Sequence, residues 1–261
     1  KYVENIAIDG KVYSAMGDIG VSLYEYLEAT YFNKKIADDL KITENITLAE
    51  NIVADWGDNY GVGFTITIPS GVTLTNKGSL FISRVNVSGK LVNKGDFYVR
   101  RDLKIPGKIE NYNWICLEEM CTYSDAENVI FKQEDARVRK VMICDSTGTL
   151  NTAFATCEKM PNQWIGEVTC NYQDDIKLTG TLTIPANCQL IIDSMAQTII
   201  SEGCVLINNS QQGISQRTEL IVKGKLQNNT FHYLDGTSEW AFIDFQNQGQ
   251  YSGNGQLYVY V

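Results

Sequence analysis

Short runs of alternating apolar and polar residues follow one another between Lys41 and Phe97. The runs are 42–48, 64–68, 72–74, 80–82, 85–87 and 90–92. Alternation with a period of two, built from Ile, Val, Thr and Phe, is typical of β-strands. Gly, Asn and Pro end the runs at short corners such as Pro69–Gly71 and Ser88–Gly89. Because hairpin turns of the Asn-Gly type are absent between these runs, the pattern predicts the stacked coils of a β-solenoid instead of a sandwich or barrel.

An internal repeat supports the solenoid. Ile66–Pro69 recurs as Leu182–Pro185 at an offset of 116 residues, and Gly89–Asn93 recurs as Gly224–Asn228 at an offset of 135 residues. The offsets differ by 19 residues, which indicates an inserted unit around 194–213. A stacked array accommodates an insertion most easily as one whole turn, so we expect about 19 residues per coil.

Two segments carry apolar residues at helical spacing. They are Leu23, Leu27 and Tyr31 in the first, with Asp18 or Ser22 as N-cap, and Leu150, Phe154 and Cys157 in the second. Each predicted helix precedes a series of strands and would cover an open hydrophobic end or edge. The sequence therefore predicts a first helix-plus-solenoid block in 1–110, a connecting segment in 111–140 and a second block in 141–261, together forming one continuous solenoid.

These motifs resemble the opening of right-handed parallel β-helix domains, the pectin-lyase-like domains of bacterial secreted and cell-surface proteins. The residues that carry the resemblance are Ser22, Leu23, Leu27 and Ala29, then Ile46–Leu48, Thr67–Leu74 and Gly89–Gly95. The second copy departs from the pattern at 186–188 and 229–230. The resemblance implies an all-β parallel β-helix with short amphipathic capping helices, duplicated in tandem, and a role in surface display or adhesion more than in a reaction.

Composition and charge narrow the class of protein. The 261 residues are 44% hydrophobic and 20% charged, which excludes disorder. A formal net charge of −9 repels phosphate backbones and anionic membrane surfaces, so nucleic acid is not an expected partner. No apolar run reaches the roughly 18 residues of a membrane span. Since the chain begins at Lys1 without a signal segment, we expect a soluble, processed piece of a longer protein, located outside the cell or on its surface.

Histidine and cysteine offer little chemistry. The single histidine, His232, is expected to be a strand or turn residue and not a general base. The seven cysteines contain no Cys-x-x-Cys pair and lie in mostly apolar surroundings, which favours buried thiols over a disulfide framework. The sequence nominates no catalytic residue, no metal ligand and no cofactor.

One loop stands out as a candidate binding site. Asp55, Trp56, Asp58, Asn59 and Tyr60 combine two carboxylates, an amide and two aromatic rings between two strands. Such a set can stack on a sugar ring or hold Ca²⁺, although its spacing matches no EF-hand loop. Long loops on rigid scaffolds are where binding tends to reside. The alternative is an ordinary polar loop.

Two basic segments are the other candidates. They are Tyr98–Lys104 and Arg137–Lys140. Basic side chains grip uronate carboxylates in the polysaccharide lyases that share this scaffold, but alternating solvated strand faces are the favoured interpretation. The sequence favours a non-enzymatic extracellular scaffold or adhesin-like domain that binds glycan or a host or cell-surface protein. A polysaccharide lyase or glycoside hydrolase of the pectin-lyase-like class is the alternative, and a phage or fibre component is a third.

Overall fold

The structure is a computed structural model, and it describes residues 6–8, 11–13, 40–48, 53–56, 65–145, 147–170, 175–192, 197–235 and 242–260. The described residues form an all-β parallel solenoid of about eight turns in all, with one helix, and this confirms the predicted fold class. The chain divides into two compact units, which we name unit 1 (Lys1–Arg139) and unit 2 (Lys140–Val261).

Unit 1 consists of short strands joined by tight corners. In chain order they are β1 Ile6–Ile8, β2 Lys11–Tyr13, β3 Leu40–Lys41, β4 Ile46–Leu48, β5 Val53–Trp56, β6 Thr65–Ile68, β7 Thr73–Asn76, β8 Ser79–Val87, β9 Lys90–Asn93, β10 Asp96–Lys104, β11 Lys108–Asn111, β12 Trp114–Leu117, β13 Thr122–Ser124 and β14 Val129–Phe131. The strand β15, Arg137–Cys144, crosses the boundary between the units. The segment 111–140, expected to connect two blocks, thus contains strands of its own, and the proposed block boundaries stay a prediction.

Each turn of unit 1 contains one short strand and one long or divided strand. The short strands β4, β7, β9, β11 and β14 stack in parallel as one column. The long strand β8 pairs with β5 along its first half, with β6 along its second half and with β10 along both halves. Alternation in β8 breaks where Ile82 and Ser83 are buried in succession, so that each half turns its own apolar side chains into the core.

A ladder of buried amides closes one corner of unit 1. Asn76, Asn93 and Asn111 end successive short strands and are fully buried. The Nδ2 of Asn76 donates to the Oδ1 of Asn93 at 2.9 Å, and the Nδ2 of Asn93 donates to the Oδ1 of Asn111 at 2.9 Å. Each Nδ2 also donates to a backbone carbonyl of the following strand. The ladder satisfies polar groups that would otherwise be costly to bury.

Glycine occupies the corner before the short strands. A Cβ at Gly107 would lie 2.1 Å from the carbonyl oxygen of Gly89, and a Cβ at Gly89 would lie 2.1 Å from that of Pro69. Neighbouring coils therefore approach so closely at this corner that no side chain fits. The sequence signal, a Gly before each Lys-x-x-Asn strand, has this packing as its cause.

Unit 2 begins with the helix and continues as separate short strands. The elements are α1 Thr147–Glu158, β16 Trp164–Cys170, β17 Ile176–Leu178, β18 Thr181–Ile184, β19 Cys188–Ile192, β20 Thr198–Ile200, β21 Val205–Asn208, β22 Ile214–Gln216, β23 Leu220–Val222, β24 Lys225–Asn228, β25 Phe231–Asp235, β26 Ile243–Phe245, β27 Gln250–Ser252 and β28 Gln256–Tyr260. They stack in three parallel columns: β16, β19, β22, β25 and β28; β17, β20, β23 and β26; and β18, β21, β24 and β27.

The helix confirms the second predicted helical segment. Leu150, Phe154 and Cys157 are buried and belong to the apolar cluster that fills unit 2. The helix packs against β16 and contacts β17, β18 and β19, the first strands of that unit, and so covers apolar surface there. The first predicted helix, around Leu23 to Tyr31, lies outside the described residues.

The repeat seen in the sequence is only partly a structural repeat. Gly89–Asn93 and Gly224–Asn228 both contain a corner glycine and a short strand that ends on a ladder asparagine, Asn93 or Asn228. By contrast, β18 stacks in the column of β24, whereas β6 pairs with β8 and precedes the corner that leads into β7. The first sequence match therefore pairs strands that occupy different places in their coils.

Candidate functional site

A recess opens on the outer surface of unit 1. It has a volume of about 250 Å³ and is lined by Asp96, Phe97, Tyr98, Trp114, Cys116 and Arg139. These residues come from three strands, β10, β12 and β15. The recess thus exists only because successive coils bring distant parts of the chain together.

Strand alternation decides which side chains reach the recess. In β10, Phe97 and Val99 point into the core, so the intervening Tyr98 faces outward. The next strand, β12, places Ile115 beside Phe97 and Cys116 beside Tyr98. Trp114, one residue before the buried Ile115, is 40% exposed, which is unusual for so large an apolar side chain.

An aromatic stack supports Tyr98. Its ring lies parallel to that of Phe81 on the preceding coil, with centroids 4.5 Å apart and planes inclined by 6°. The two residues are register partners in β8 and β10. The contact restricts the rotamer of Tyr98 and presents the outer part of its ring at the recess.

Charged groups complete the recess. The Nη2 of Arg139 approaches the Sγ of Cys116 at 3.5 Å. The carboxylate of Asp96 accepts hydrogen bonds from Ser79 Oγ at 3.3 Å and from Asn113 Nδ2 at 3.5 Å, and this residue remains exposed. The recess therefore combines an apolar aromatic surface with guanidinium donors and a carboxylate acceptor, the mixture that recognises a small polar ligand with apolar faces.

The loop predicted from the sequence is described only in part. Asp55 and Trp56 lie in β5, where they are register partners of Phe81 and Ile82. Asp58, Asn59 and Tyr60 lie outside the described residues, so a binding site formed by all five residues stays a prediction. Since β5 pairs with β8 and β8 pairs with β10, the strand that contains Asp55 is two rungs from the strand that carries Tyr98.

Most of the basic residues singled out in the sequence lie on solvated surface. One extra residue in β10 shifts its register between Val99 and Asp102, which places Arg100 and Arg101 in a bulge. Arg100 is exposed and forms an ion pair with Glu118, 3.0 Å from Nε to Oε2. Arg139 differs, because it alone of these arginines lines the recess. Sequence reasoning missed Trp114 and Asp96, although the alternation around Ile115 marks Trp114 as an outward-facing ring.

His232 is a buried strand residue, as predicted. It lies in β25, and its Nε2 is 3.1 Å from the Oε1 of Gln216. Burial lowers the pKa of its imidazole to about 4. The ring is therefore neutral at physiological pH, and it is packed in the core of unit 2 and not in a cleft.

The cysteines confirm the prediction of buried thiols. All seven are free, and all but Cys204 are buried. Four of them, Cys144, Cys157, Cys170 and Cys188, belong to the apolar cluster of unit 2. Burial raises the pKa of Cys170 to about 12, and burial also raises that of Cys188. Within the described ranges, no three His, Cys, Asp or Glu side chains are grouped so that they could hold a metal ion.

Comparison with known proteins adds no family to this picture. No family model, no curated protein and no solved structure matches the chain. Among the described residues, no helix has the length and apolar character needed to cross a membrane.

Proposed function

We propose that the chain is a non-enzymatic, extracellular β-solenoid domain of a bacterial surface or secreted protein, and that it binds glycan at the recess of unit 1. The observation that carries this proposal is the combination of an exposed Trp114 with Arg139 and Asp96 in one recess of about 250 Å³. The bacterial and extracellular setting rests on the resemblance to pectin-lyase-like domains.

Sugar chemistry fits the lining of the recess. A pyranose ring presents apolar C–H groups on its faces and hydroxyl groups at its edge. Trp114 offers a flat apolar surface, while Arg139 donates and Asp96 accepts hydrogen bonds, so both kinds of sugar surface find a partner. Because a cation and an anion lie side by side, the recess suits an uncharged glycan, and a net charge of −9 disfavours a polyanion.

The predicted loop extends the same surface. Asp55 and Tyr98 belong to strands two rungs apart, a separation of about 10 Å at the usual spacing of strands. A glycan of several sugar units lying across the coils would span that separation. Asp55, Trp56, Asp58, Asn59 and Tyr60 would then contact the units next to the one bound in the recess.

The solenoid supplies the rigidity that such a site needs. Hydrogen-bonded parallel strands hold β8, β10 and β12 in register, and the stack of Phe81 on Tyr98 immobilises one wall. A preorganised site loses less entropy when it binds its ligand.

Binding is favoured over turnover by the carboxylates of the recess. Among its six described lining residues, Asp96 is the one carboxylate, whereas glycoside hydrolysis by the usual mechanism needs two that face each other across the bond. The alternative function, a polysaccharide lyase or glycoside hydrolase, stays a separate prediction with its own assay.

A glycan array followed by calorimetry tests the proposal. We expect uncharged oligosaccharides to bind, and Trp114→Ala and Arg139→Gln each to weaken the best of them at least about tenfold, or 1.4 kcal/mol. Tyr112→Ala and Arg100→Ala are the matched controls, since both residues belong to unit 1 but do not line the recess. Unchanged affinity in both recess variants would show that the recess is not the site.

An assay for new reducing ends and for unsaturated products separates the two functions. The proposal expects no product from any glycan that binds. Turnover that disappears in Asp96→Asn or Asp58→Asn, with binding retained, would replace the scaffold by an enzyme.

A further inference from the structure

The last described coil of unit 2 exposes residues that are core residues everywhere else. Phe245, Tyr251 and Leu257 are register partners of Val222, Leu226 and His232. The partners are 0 to 1% exposed, whereas Phe245, Tyr251 and Leu257 are 43%, 38% and 37% exposed. We name the surface formed by these three side chains and by the edges of β26, β27 and β28 the end face.

The end face also presents unpaired strand edges. Within the described part of the chain, β26, β27 and β28 each pair on one side only, with β23, β24 and β25. Natural edge strands are usually protected by charged residues, by proline or by bulges, because an open edge recruits further strands. The sequences of β27 and β28, Gln-Tyr-Ser and Gln-Leu-Tyr-Val-Tyr, contain neither a charged residue nor a proline.

Charge makes the end face the region where two copies can approach. The chain as a whole has a net charge of −9, so its copies repel one another. The three strands of the end face carry a single charged residue, Asp244, whose Oδ2 accepts a hydrogen bond from Gln246 Nε2 at 2.7 Å. Contact between two end faces therefore brings together few like charges while it buries aromatic and aliphatic side chains.

We propose that the end face binds the end face of a second copy of the chain, forming a two-fold symmetric dimer. A two-fold axis perpendicular to the coil axis, through the middle of β28, reverses the strand direction between the copies. It sets β28 antiparallel to the partner's β28, and β26 antiparallel to the partner's β27. Every strand at the end face then gains a neighbour, and the same patch serves both subunits, as an isologous interface requires.

Sedimentation equilibrium of the 261-residue chain between about 1 and 100 µM tests this proposal. We expect a reversible transition from 29.2 kDa to twice that mass. Leu257→Lys and Tyr251→Lys, which place charge on the end face, should raise the dimer dissociation constant at least about tenfold. Met120→Lys is the matched control, because Met120 is 74% exposed in unit 1 and the change is the same in kind.

Each other outcome decides against the dimer. A wild-type chain that stays monomeric at the highest concentration overturns the proposal, and so does open-ended association, which is the sign of head-to-tail contact. Equal dissociation by Met120→Lys also overturns it. If a lysine variant fails to fold, hydrogen exchange on the wild type replaces it: the amides of β28 should gain protection with concentration, and those of the inner strand β22 should not.

Discussion

Unit 1 and unit 2 build the same corner with coils of different length. In unit 1 the register partners Leu74 and Leu91 are 17 residues apart, whereas in unit 2 the register partners Leu182 and Leu206 are 24 residues apart. Both units nevertheless have a corner glycine, a short strand and a buried asparagine at its end. The core rows and the ladder are therefore maintained while the coil length changes.

The extra length accumulates at a corner between strands. In unit 1 the residues that flank this corner are 82 and 84 in β8, 99 and 102 in β10, and 117 in β12 with 122 in β13. Successive coils thus add residues at the same place, first as a bulge and then as a turn. Residues at a corner face solvent and cost little to insert, whereas a residue inserted into a strand would turn a core row outward.

The largest effect is expected from filling the glycine corner. Gly107→Ala in unit 1 and Gly224→Ala in unit 2 should each lower the free energy of unfolding by about 4 kcal/mol, because the added Cβ would lie 2.1 Å and 2.3 Å from backbone carbonyl oxygens. Urea denaturation measures both. Gly148→Ala is the control, since nothing lies within 4 Å of a Cβ in this helix position and stability should rise slightly. A small loss in unit 2 alone would mean that its longer coils relax.

A pH effect is expected to come from unit 2, which contains the only histidine. The folded-state pKa of His232 is about 4, below its ordinary value of 6.5, so the unfolded chain binds a proton first as the pH falls. Stability should therefore be complete above pH 6.5 and decline by about 3 kcal/mol toward pH 4. His232→Gln should remove this part of the decline, as measured by urea denaturation of both proteins across that range. Identical pH profiles would contradict the assignment.

The asparagine ladder should matter more in unit 1 than in unit 2. Asn93→Ala removes the middle member of a chain of three amides and leaves two buried neighbours short of a partner, at a cost of about 2 kcal/mol. Asn228→Ala should cost less, because its Nδ2 contacts Tyr251 Oη at a longer 3.4 Å. The exposed Asn229→Ala is the control and should change thermal stability little. Equal losses at 93 and 228 would show that ladder length is unimportant.

The smallest effect is expected from lengthening a corner. One glycine inserted between Glu119 and Met120, both exposed, should cost less than about 1 kcal/mol. The same insertion between the fully buried Ile82 and Ser83 should unfold unit 1, because it reverses the facing of the second half of β8. Thermal unfolding of the two variants gives the comparison, and similar melting temperatures would refute the view that length is absorbed at this corner.

Much of the fold could be predicted from the sequence. Period-two alternation identified strands such as β6, β7 and β9, and four-residue spacing identified α1, because both patterns depend on local geometry alone. The alignment of Ile66–Pro69 with Leu182–Pro185 was misleading as a guide to structure, since a short Thr-Ile-Pro strand can occupy more than one place in a coil. The candidate site was less predictable, and only Arg139 of the charged and aromatic groups in the recess had been weighed as a ligand contact.

The chain by itself determines which residues face the core and where the coils turn, because alternation, glycine and asparagine act over a few neighbouring residues. Only the tertiary structure decides what becomes adjacent. Asp96, Trp114 and Arg139 are far apart in the sequence, and they meet because each corner has the length that brings its strand into register with the previous coil. Corner lengths vary without a periodic signal, so the recess and the end face are properties of the stacked coils and not of any one segment.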